Sequence, residues 1–374
     1  MLFPPSPREL LIALNTAPAL SRPALCRLAL ALDRWSDAAD PAGAADPALS
    51  SEVGVPVPSL LRALSRIPQA AAAAAEEEEQ AARLGARLVT LRDPDYPPAL
   101  LRLALPPPVL AVQGEIPEGP AVAVVGSRRA DPYGLEAADL FARALAGAGV
   151  AIVSGFALGI DAAAHKAALA AGGKTVAVLG CGLGMDYPRG HRRLGRDIAE
   201  NGARVSELPC GQAPRPWHFP VRNRMIAALA AGVLVVQATA RSGSLITVRH
   251  ALDLGRDVYA VPGRIFDESA IGPNSLIRDG ALLAQHPRDI LEALRVPPGA
   301  AGPAPEEEAE AGPPPPPGLP AEIAAALAAA GKTQPAEELA ARLGRTVDEI
   351  LGALLELELG GWVRRLPGGV YGRE

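Results

Sequence analysis

The sequence predicts an α/β protein with a doubly wound, mostly parallel sheet, preceded by a small helical module and followed by a winged helix. Three observations carry this. Short β-rich runs alternate with amphipathic stretches from 87 to 261; an alanine- and leucine-rich segment broken by prolines precedes them; and a proline- and glutamate-rich tract separates them from three helical stretches and a hairpin pattern. Strand and helix alternating at this spacing imply right-handed βαβ crossovers and a sheet covered by helices on both faces, an extended Rossmann-like architecture.

Taken in order, residues 1–82 form the helical module, of sterile-alpha-motif or helix-hairpin type. Pro18, Pro23, Pro41, Pro47, Pro56 and Pro58 divide it into short helices, because proline ends a helix or opens one. The run "AAAAAAEEEE" at 70–79 reads as a solvated helix leading out of it. In the central domain, 83–295, candidate strands fall at 87–91, 109–113, 121–125, 150–153, 175–179, 203–206, 233–236 and 257–261. Candidate helices fall between them at 135–146, 161–171, 191–201, 222–231 and 245–254. Residues 296–320 lack a periodic apolar pattern and read as a linker, stiffened by the five prolines at 313–317. The last domain, 321–374, reads as three helices and a hairpin turning at Gly368 and Gly369.

A chain of 374 residues with 49% hydrophobic and 21% charged residues is an ordinary globular protein of two or three domains. No apolar run is long enough to span a bilayer. The start, "MLFPPSPREL", lacks the basic flank and unbroken apolar segment of a secretory signal, so a cytoplasmic location is expected. Cys26, Cys181 and Cys210 are too scattered for a metal site or a disulfide framework. The formal net charge of −5 argues against a nucleic-acid partner on average, but an average conceals local patches. Only Lys166, Lys174 and Lys332 are lysines, so positive charge is carried almost wholly by arginine, the better bidentate partner of phosphate. Genome composition explains the same bias.

Ligands of a doubly wound sheet sit beyond the carboxyl ends of its strands. There the sequence places Gly126, Ser127 and Arg128 after one strand, Ser154 and Gly155 after the next, and Gly180, Cys181 and Gly182 after a third. Glycine admits close backbone approach and helix N-termini favour anions, which points to phosphate. "GCGLG" at 180–184 is not the dinucleotide fingerprint and no P-loop occurs, so neither a nicotinamide cofactor nor an ATPase is indicated. Arg222, Asn223 and Arg224 are predicted at a helix start, either contacting phosphate and base or pairing with carboxylates such as Glu207. Trp217, His218 and Phe219 offer stacking surfaces or seal a loop. "RSGSLIT" at 241–247 reads as a helix cap. Asp161 and His165, four apart, read as a structural hydrogen bond. No nucleophile with a matched base, catalytic carboxylate pair or metal cluster is evident, and no cofactor is implied.

The ordered stretches "YPPALL", "VAVVGSRRADPYG", "VSGFALGIDAAAH", "KTVAVLGCGLGMDYP", "SELP", "FPVRNRMIAAL", "RSGSLIT", "DVYAVPG" and "GPNSLIRDGA" resemble the DNA-processing protein A (DprA/Smf) family. They cover about 92–281 in the family's order. The resemblance implies a recombination mediator of natural transformation, not an enzyme. Such a protein binds and protects incoming single-stranded DNA, forms a homodimer through the Rossmann-like domain, and helps load the RecA recombinase. It implies that Gly126, Ser127 and Arg128 hold a DNA phosphate and that Gly155, Lys174, Asn223 and Arg224 line the same pocket, with Arg222 nearby. Leu158 stands where the family commonly has arginine, and Gln237 where it has glutamate.

An alternative is a nucleotide phosphoribohydrolase, which shares a Rossmann core and an early Gly-Ser-Arg turn. The "PGGxGTxxE" motif of that family is missing from "RSGSLITVRH". A third reading, a winged-helix regulator with a ligand-sensing domain, conflicts with charge: residues 320–374 carry six basic and eight acidic residues. The presumptive recognition helix, 347–359, has Asp348, Glu349, Glu356 and Glu358 and no arginine. Phosphate repels such a helix, which leaves it a protein-contact or dimer-supporting role, with DNA limited to the wing residues Arg364 and Arg365.

Overall fold

The computed structural model describes residues 6–16, 20–31, 47–58, 69–296, 316–330, 334–360, 362–366 and 370–373. The chain divides into two compact units, Met1–Ala304 and Pro305–Glu374. Most of the linker expected at 296–320, and the turn at Gly368 and Gly369, lie outside the described residues.

The first unit is built on a nine-stranded sheet. Its strands are β1 (Ala86–Thr90), β2 (Val109–Gly114), β3 (Ala121–Val125), β4 (Ala151–Ser154), β5 (Thr175–Val178), β6 (Gly202–Ser206), β7 (Gly232–Val235), β8 (Asp257–Ala260) and β9 (Leu282–Leu283), in the spatial order β1-β2-β6-β5-β4-β3-β7-β8-β9. The pairings β1–β2 and β2–β6 are antiparallel and the other six are parallel. β3 shows why the sequence forms this sheet. Its five residues, AVAVV, are all buried, as a strand covered on both faces requires. Ala121, Ala123 and Val125 enter one core with Met225, Ile226 and Val248, while Val122 and Val124 enter the opposite core with Phe141, Leu145 and Ala164.

The N-terminal helices pack directly on the sheet as well as on one another, with Leu14, Leu25, Leu28 and Val53 in a small core of their own. Leu11 and Ile12 of the Pro7–Thr16 helix share a core with Leu88, Val109, Leu179 and Cys181, joined by Ala74 and Ala81 of the Ala70–Arg83 helix. The helix expected to be solvated over 70–79 is therefore half-buried. Its Glu77 is inside, where Oε1 accepts from the backbone N–H of Cys210 at 2.7 Å.

Asp161 and His165 do not bond to each other. Thr175 Oγ1 donates to the Ile152 carbonyl at 2.7 Å and therefore accepts from His165 Nδ1, also at 2.7 Å. That leaves His165 Nε2 buried without a hydrogen-bond partner among the described residues. Burial lowers the His165 pKa to about 3, helped by the charges of His191 and Arg222. An unfolded histidine titrates near 6.5, so between roughly pH 6.5 and 3 the unfolded chain binds the extra proton and stability falls as pH falls. Above pH 7 this contribution is complete and flat. Chemical denaturation from pH 7 down to 4.5 is expected to lose up to about 1.4 kcal/mol per pH unit from this site. His165→Asn, which keeps a donor near Nδ1, should show a shallower slope; an unchanged slope would refute this.

The second unit packs the Leu319–Ala330, Ala336–Leu343 and Val347–Leu359 helices against a small sheet of order β10-β12-β11, with β10 at Gln334–Pro335, β11 at Val363–Leu366 and β12 at Val370–Arg373. Ile323, Leu339, Ile350, Leu354, Leu357 and Tyr371 form its core. Helices followed by a β11–β12 hairpin constitute the winged helix that the sequence predicts.

Candidate functional site

A cavity of about 560 Å³ opens beyond the carboxyl ends of the central strands, where the topology of a doubly wound sheet places ligands. A recess of about 90 Å³ adjoins it and shares Arg128, Ala157, Tyr187 and Phe219 with it.

The first wall is the turn after β3. Ser127 Oγ accepts from the backbone N–H of Arg129 at 3.1 Å, tightening the turn and leaving Arg128 exposed at the rim. Gly126 is required by close packing: a Cβ there would lie 2.6 Å from Ile160 Cγ1 and 2.9 Å from the Gln237 carbonyl oxygen. Gln237 has a structural role. Its buried Oε1 accepts from the Asp131 backbone N–H at 3.3 Å, holding the end of the same turn.

The Pro132–Gly147 helix begins five residues after Ser127, and its N-cap is Asp131, whose Oδ1 accepts from Gly134 N–H at 2.9 Å. That N–H holds the Asp131 carboxyl below the usual carboxylate range. Around the Ser244–Asp253 helix, the N–H groups of Ser244, Leu245 and Ile246 are taken by Ser242 Oγ, Ser242 O and Gly243 O. The expectation that helix N-termini supply free N–H donors is thereby corrected for both helices. These two helix starts therefore leave the anion contacts to other groups of the cavity wall, Arg128 among them.

The floor is formed by the His218–Ala228 helix, which starts earlier than the predicted 222 because Pro220 is tolerated in a first turn. Arg222 is buried, and its Nη1 donates to the Gly155 carbonyl at 2.6 Å and to the Val178 carbonyl, while Nε donates to Asn223 Oδ1 at 3.2 Å. Desolvation lowers the Arg222 pKa to about 10, so it is charged at neutral pH, beside the buried Asp161. Burial raises the Asp161 carboxyl, and the Arg222 guanidinium opposes that rise. Gly155 leaves room for the pair: a Cβ there would fall 2.7 Å from Asp161 Oδ2 and 2.8 Å from Arg222 Nη2. Asn223 Nδ2 donates to the Gly243 carbonyl at 3.1 Å, tying the floor to the third wall.

That third wall, Ser242–Thr247, is the segment the sequence reads only as a cap. Ser242, Gly243, Ser244, Ile246 and Thr247 line the cavity, and Thr247 Oγ1 is buried without a hydrogen-bond partner among the described residues. Phe219 faces the cavity as well. The Arg128 guanidinium lies 5.2 Å from its ring centroid, that of Arg222 6.0 Å, and the Tyr187 ring 5.4 Å. Gly180 admits the Phe219 ring, since a Cβ at 180 would approach its Cδ1 to 2.6 Å. Arg215, which the sequence reading missed, also lines the cavity and lies 5.4 Å from the exposed Trp217 ring.

Of the residues expected from sequence, Gly126, Ser127, Arg128, Arg222 and Asn223 line the main cavity, and Gly155 lines the recess. Two do not join them. Lys174 is exposed immediately before β5, at the amino end of a parallel strand and therefore at the edge of the sheet opposite the cavity. Arg224 donates from Nη1 and Nη2 to the two oxygens of Glu207, at 3.1 and 2.7 Å, with the side chains 11% and 4% exposed. Two residues along a helix are about 200° apart, so Arg222 and Arg224 cannot both face the ligand. Beside that ion pair lies Cys26 of the Arg22–Ala31 helix, its thiol pushed up to about 11 by burial. Among the described residues no group of three metal-ligating side chains gathers, and no helix is long and apolar enough to cross a membrane.

Residues 87–295 match the family described as DNA recombination-mediator protein A, and residues 307–369 match the DprA winged helix domain. The chain is 44% identical over 278 residues to Protein Smf of Escherichia coli, covering 73% of this chain and 74% of that one. It is 43% identical over 204 residues to DNA processing protein DprA of Streptococcus pneumoniae, covering 54% of this chain and 72% of that one. The crystal structure of DprA from S. pneumoniae superposes with a TM-score of 0.66 at 32% identity, over 76% of this chain and 97% of that one. A structure of the Helicobacter pylori protein, described for its single-stranded DNA binding mode, superposes with a TM-score of 0.50 at 31% identity, over 56% of this chain and 95% of that one. With both domains matched, in the order and over the sheet described above, this chain belongs to the DNA recombination-mediator protein A (DprA/Smf) family, whose role is DNA processing and recombination.

Proposed function

We propose that the cavity grips the backbone of single-stranded DNA without chemical turnover, and that the bound strand is protected and passed to RecA during natural transformation in the cytoplasm. The observation that carries the reading is the charge of the lining: Arg128, Arg215 and Arg222 converge with the hydroxyls of Ser127, Ser242 and Thr247, against one carboxylate, Asp161. Phe219, Tyr187 and Trp217 beside these arginines offer faces to unstacked bases, an arrangement that suits a single strand and tolerates any sequence. The H. pylori relative supports it. RecA loading rests on the family membership, and its test is faster RecA nucleation on single strands in the presence of this protein.

A homodimer through the first unit accompanies this proposal. β9 is a two-residue edge strand whose Leu282 and Leu283 are 46% and 43% exposed, and an open apolar edge is a ready surface for a second copy. Light scattering across micromolar concentrations should give twice the single-chain mass of 38.4 kDa; one chain's mass throughout would refute the dimer.

Arg128→Ala is the direct test of the strand reading. It should weaken oligonucleotide binding for every sequence and reduce the log–log salt slope by roughly 0.7, one phosphate contact on a single strand. Release of a base or phosphate from mononucleotides, with oligonucleotide binding unchanged in this variant, would replace strand binding by the phosphoribohydrolase reading.

A further inference from the structure

In the second unit, the Val347–Leu359 helix has two apolar faces. Ile350, Ala353, Leu354 and Leu357 are buried in the core of the winged helix. Val347, Leu351, Leu355 and Leu359, spaced by four, are 37, 41, 57 and 82% exposed. At 100° per residue these four fall within a sector of about 120°. They make a continuous stripe along three turns, not scattered surface leucines.

The helix carries Asp348, Glu349, Glu356 and Glu358 and no basic residue. Asp348 and Glu358 project into the sector of the stripe, near its two ends, and Glu356 flanks it. Glu349 is engaged in the capping box, its Oε2 accepting from Thr346 N–H and Oγ1 at 2.9 Å. A winged helix that reads DNA presents donors and cations from this position to the major groove. Here the same position presents leucine and carboxylate, so phosphate is repelled and base edges meet no donor. A second copy of the helix would bring acid against acid.

We propose that this stripe is a docking surface for a basic amphipathic helix of a protein partner. Apolar side chains of that helix, recurring every three or four residues, would lie on Leu351 and Leu355, and flanking lysines or arginines would meet Asp348, Glu356 and Glu358. The mode is a helix laid on a helix, with the apolar anchors supplying affinity and the charges supplying partner choice and encounter rate. The stripe shares no residue with the lining of the cavity in the first unit.

The test uses the full chain and two labelled 18-residue synthetic helical peptides of identical leucine stripe, one flanked by lysines and the other by glutamates, read by fluorescence anisotropy. The lysine peptide should bind, more weakly as salt rises, and the glutamate peptide should not. Leu355→Glu and Leu351→Glu should each weaken the lysine peptide roughly tenfold or more, with oligonucleotide binding and oligomeric mass unchanged. Asp348→Asn combined with Glu358→Gln, which leaves the apolar stripe intact, should weaken binding and flatten its salt dependence. A wild-type chain that ignores the lysine peptide, or leucine variants that bind it as tightly as wild type, would overturn the proposal. So would a fall in oligomeric mass in Leu355→Glu, which would assign the stripe to contact between copies.

Discussion

Arg224→Ala is expected to lose about 3–5 kcal/mol of folding stability while leaving the oligonucleotide affinity of the remaining folded protein almost unchanged. The side chain is not at the cavity; both of its Nη groups are engaged by Glu207 inside the protein. Removing it leaves the Glu207 carboxylate buried and unpaired, and an uncompensated buried charge costs far more than the pair contributes. The same substitution uncovers the seat of the Arg22–Ala31 helix, whose Cys26 lies against Arg224. Urea denaturation should show a lower midpoint, with protection of Cys26 from thiol reagents lost in parallel. Glu207→Gln should cost less, because an amide still accepts from the guanidinium. Unaltered stability with affinity lost would return Arg224 to the strand-binding site.

Arg222→Ala is expected to damage both properties. Its guanidinium holds the Gly155 and Val178 carbonyls, which end adjacent strands, and faces the buried Asp161. Without it, stability should fall by about 3 kcal/mol or more, and the walls that Arg222 ties together should lose their spacing. Single-strand affinity at low salt should drop by roughly a hundredfold, two charge-assisted contacts' worth. Asp161→Asn in the same chain removes the stranded carboxylate and should restore much of the stability but not the affinity. Equal recovery of both would mean that Arg222 acts on the strand only through the fold.

What the sequence discloses about this molecule follows from which forces are local. β3 is legible to the residue because AVAVV is buried on both faces and nothing in the run competes with a strand. β9 is not: two leucines at a sheet edge make no periodic signal. The Gly-Ser-Arg turn is legible because glycine and arginine are odd neighbours at the end of a strand. Lys174 misleads because the stretch that contains it runs on to the recess residues Leu179, Gly180 and Cys181, whereas only strand direction says which end of the sheet it occupies. Arg222 and Arg224 look equivalent in "RNR", and a rotation of about 200° separates their fates. Thr247 and Ser242 are hidden by a satisfactory local role, since a hydroxyl at a helix start needs no ligand until the sheet brings it to a cavity.

One consequence follows from Asp131, the carboxylate that caps the helix beyond the Gly-Ser-Arg turn. Many phosphate sites clamp their ligand with main-chain N–H groups, whose positions are fixed to fractions of an ångström. Here that seat is filled by the protein's own anion, so in the reading proposed above the hold would pass to Arg128, exposed at the rim. A tethered cation can follow a phosphate as the strand shifts and regain the next one without the turn moving. If the cavity holds a single strand as proposed above, such a surface would release it more readily than a rigid clamp.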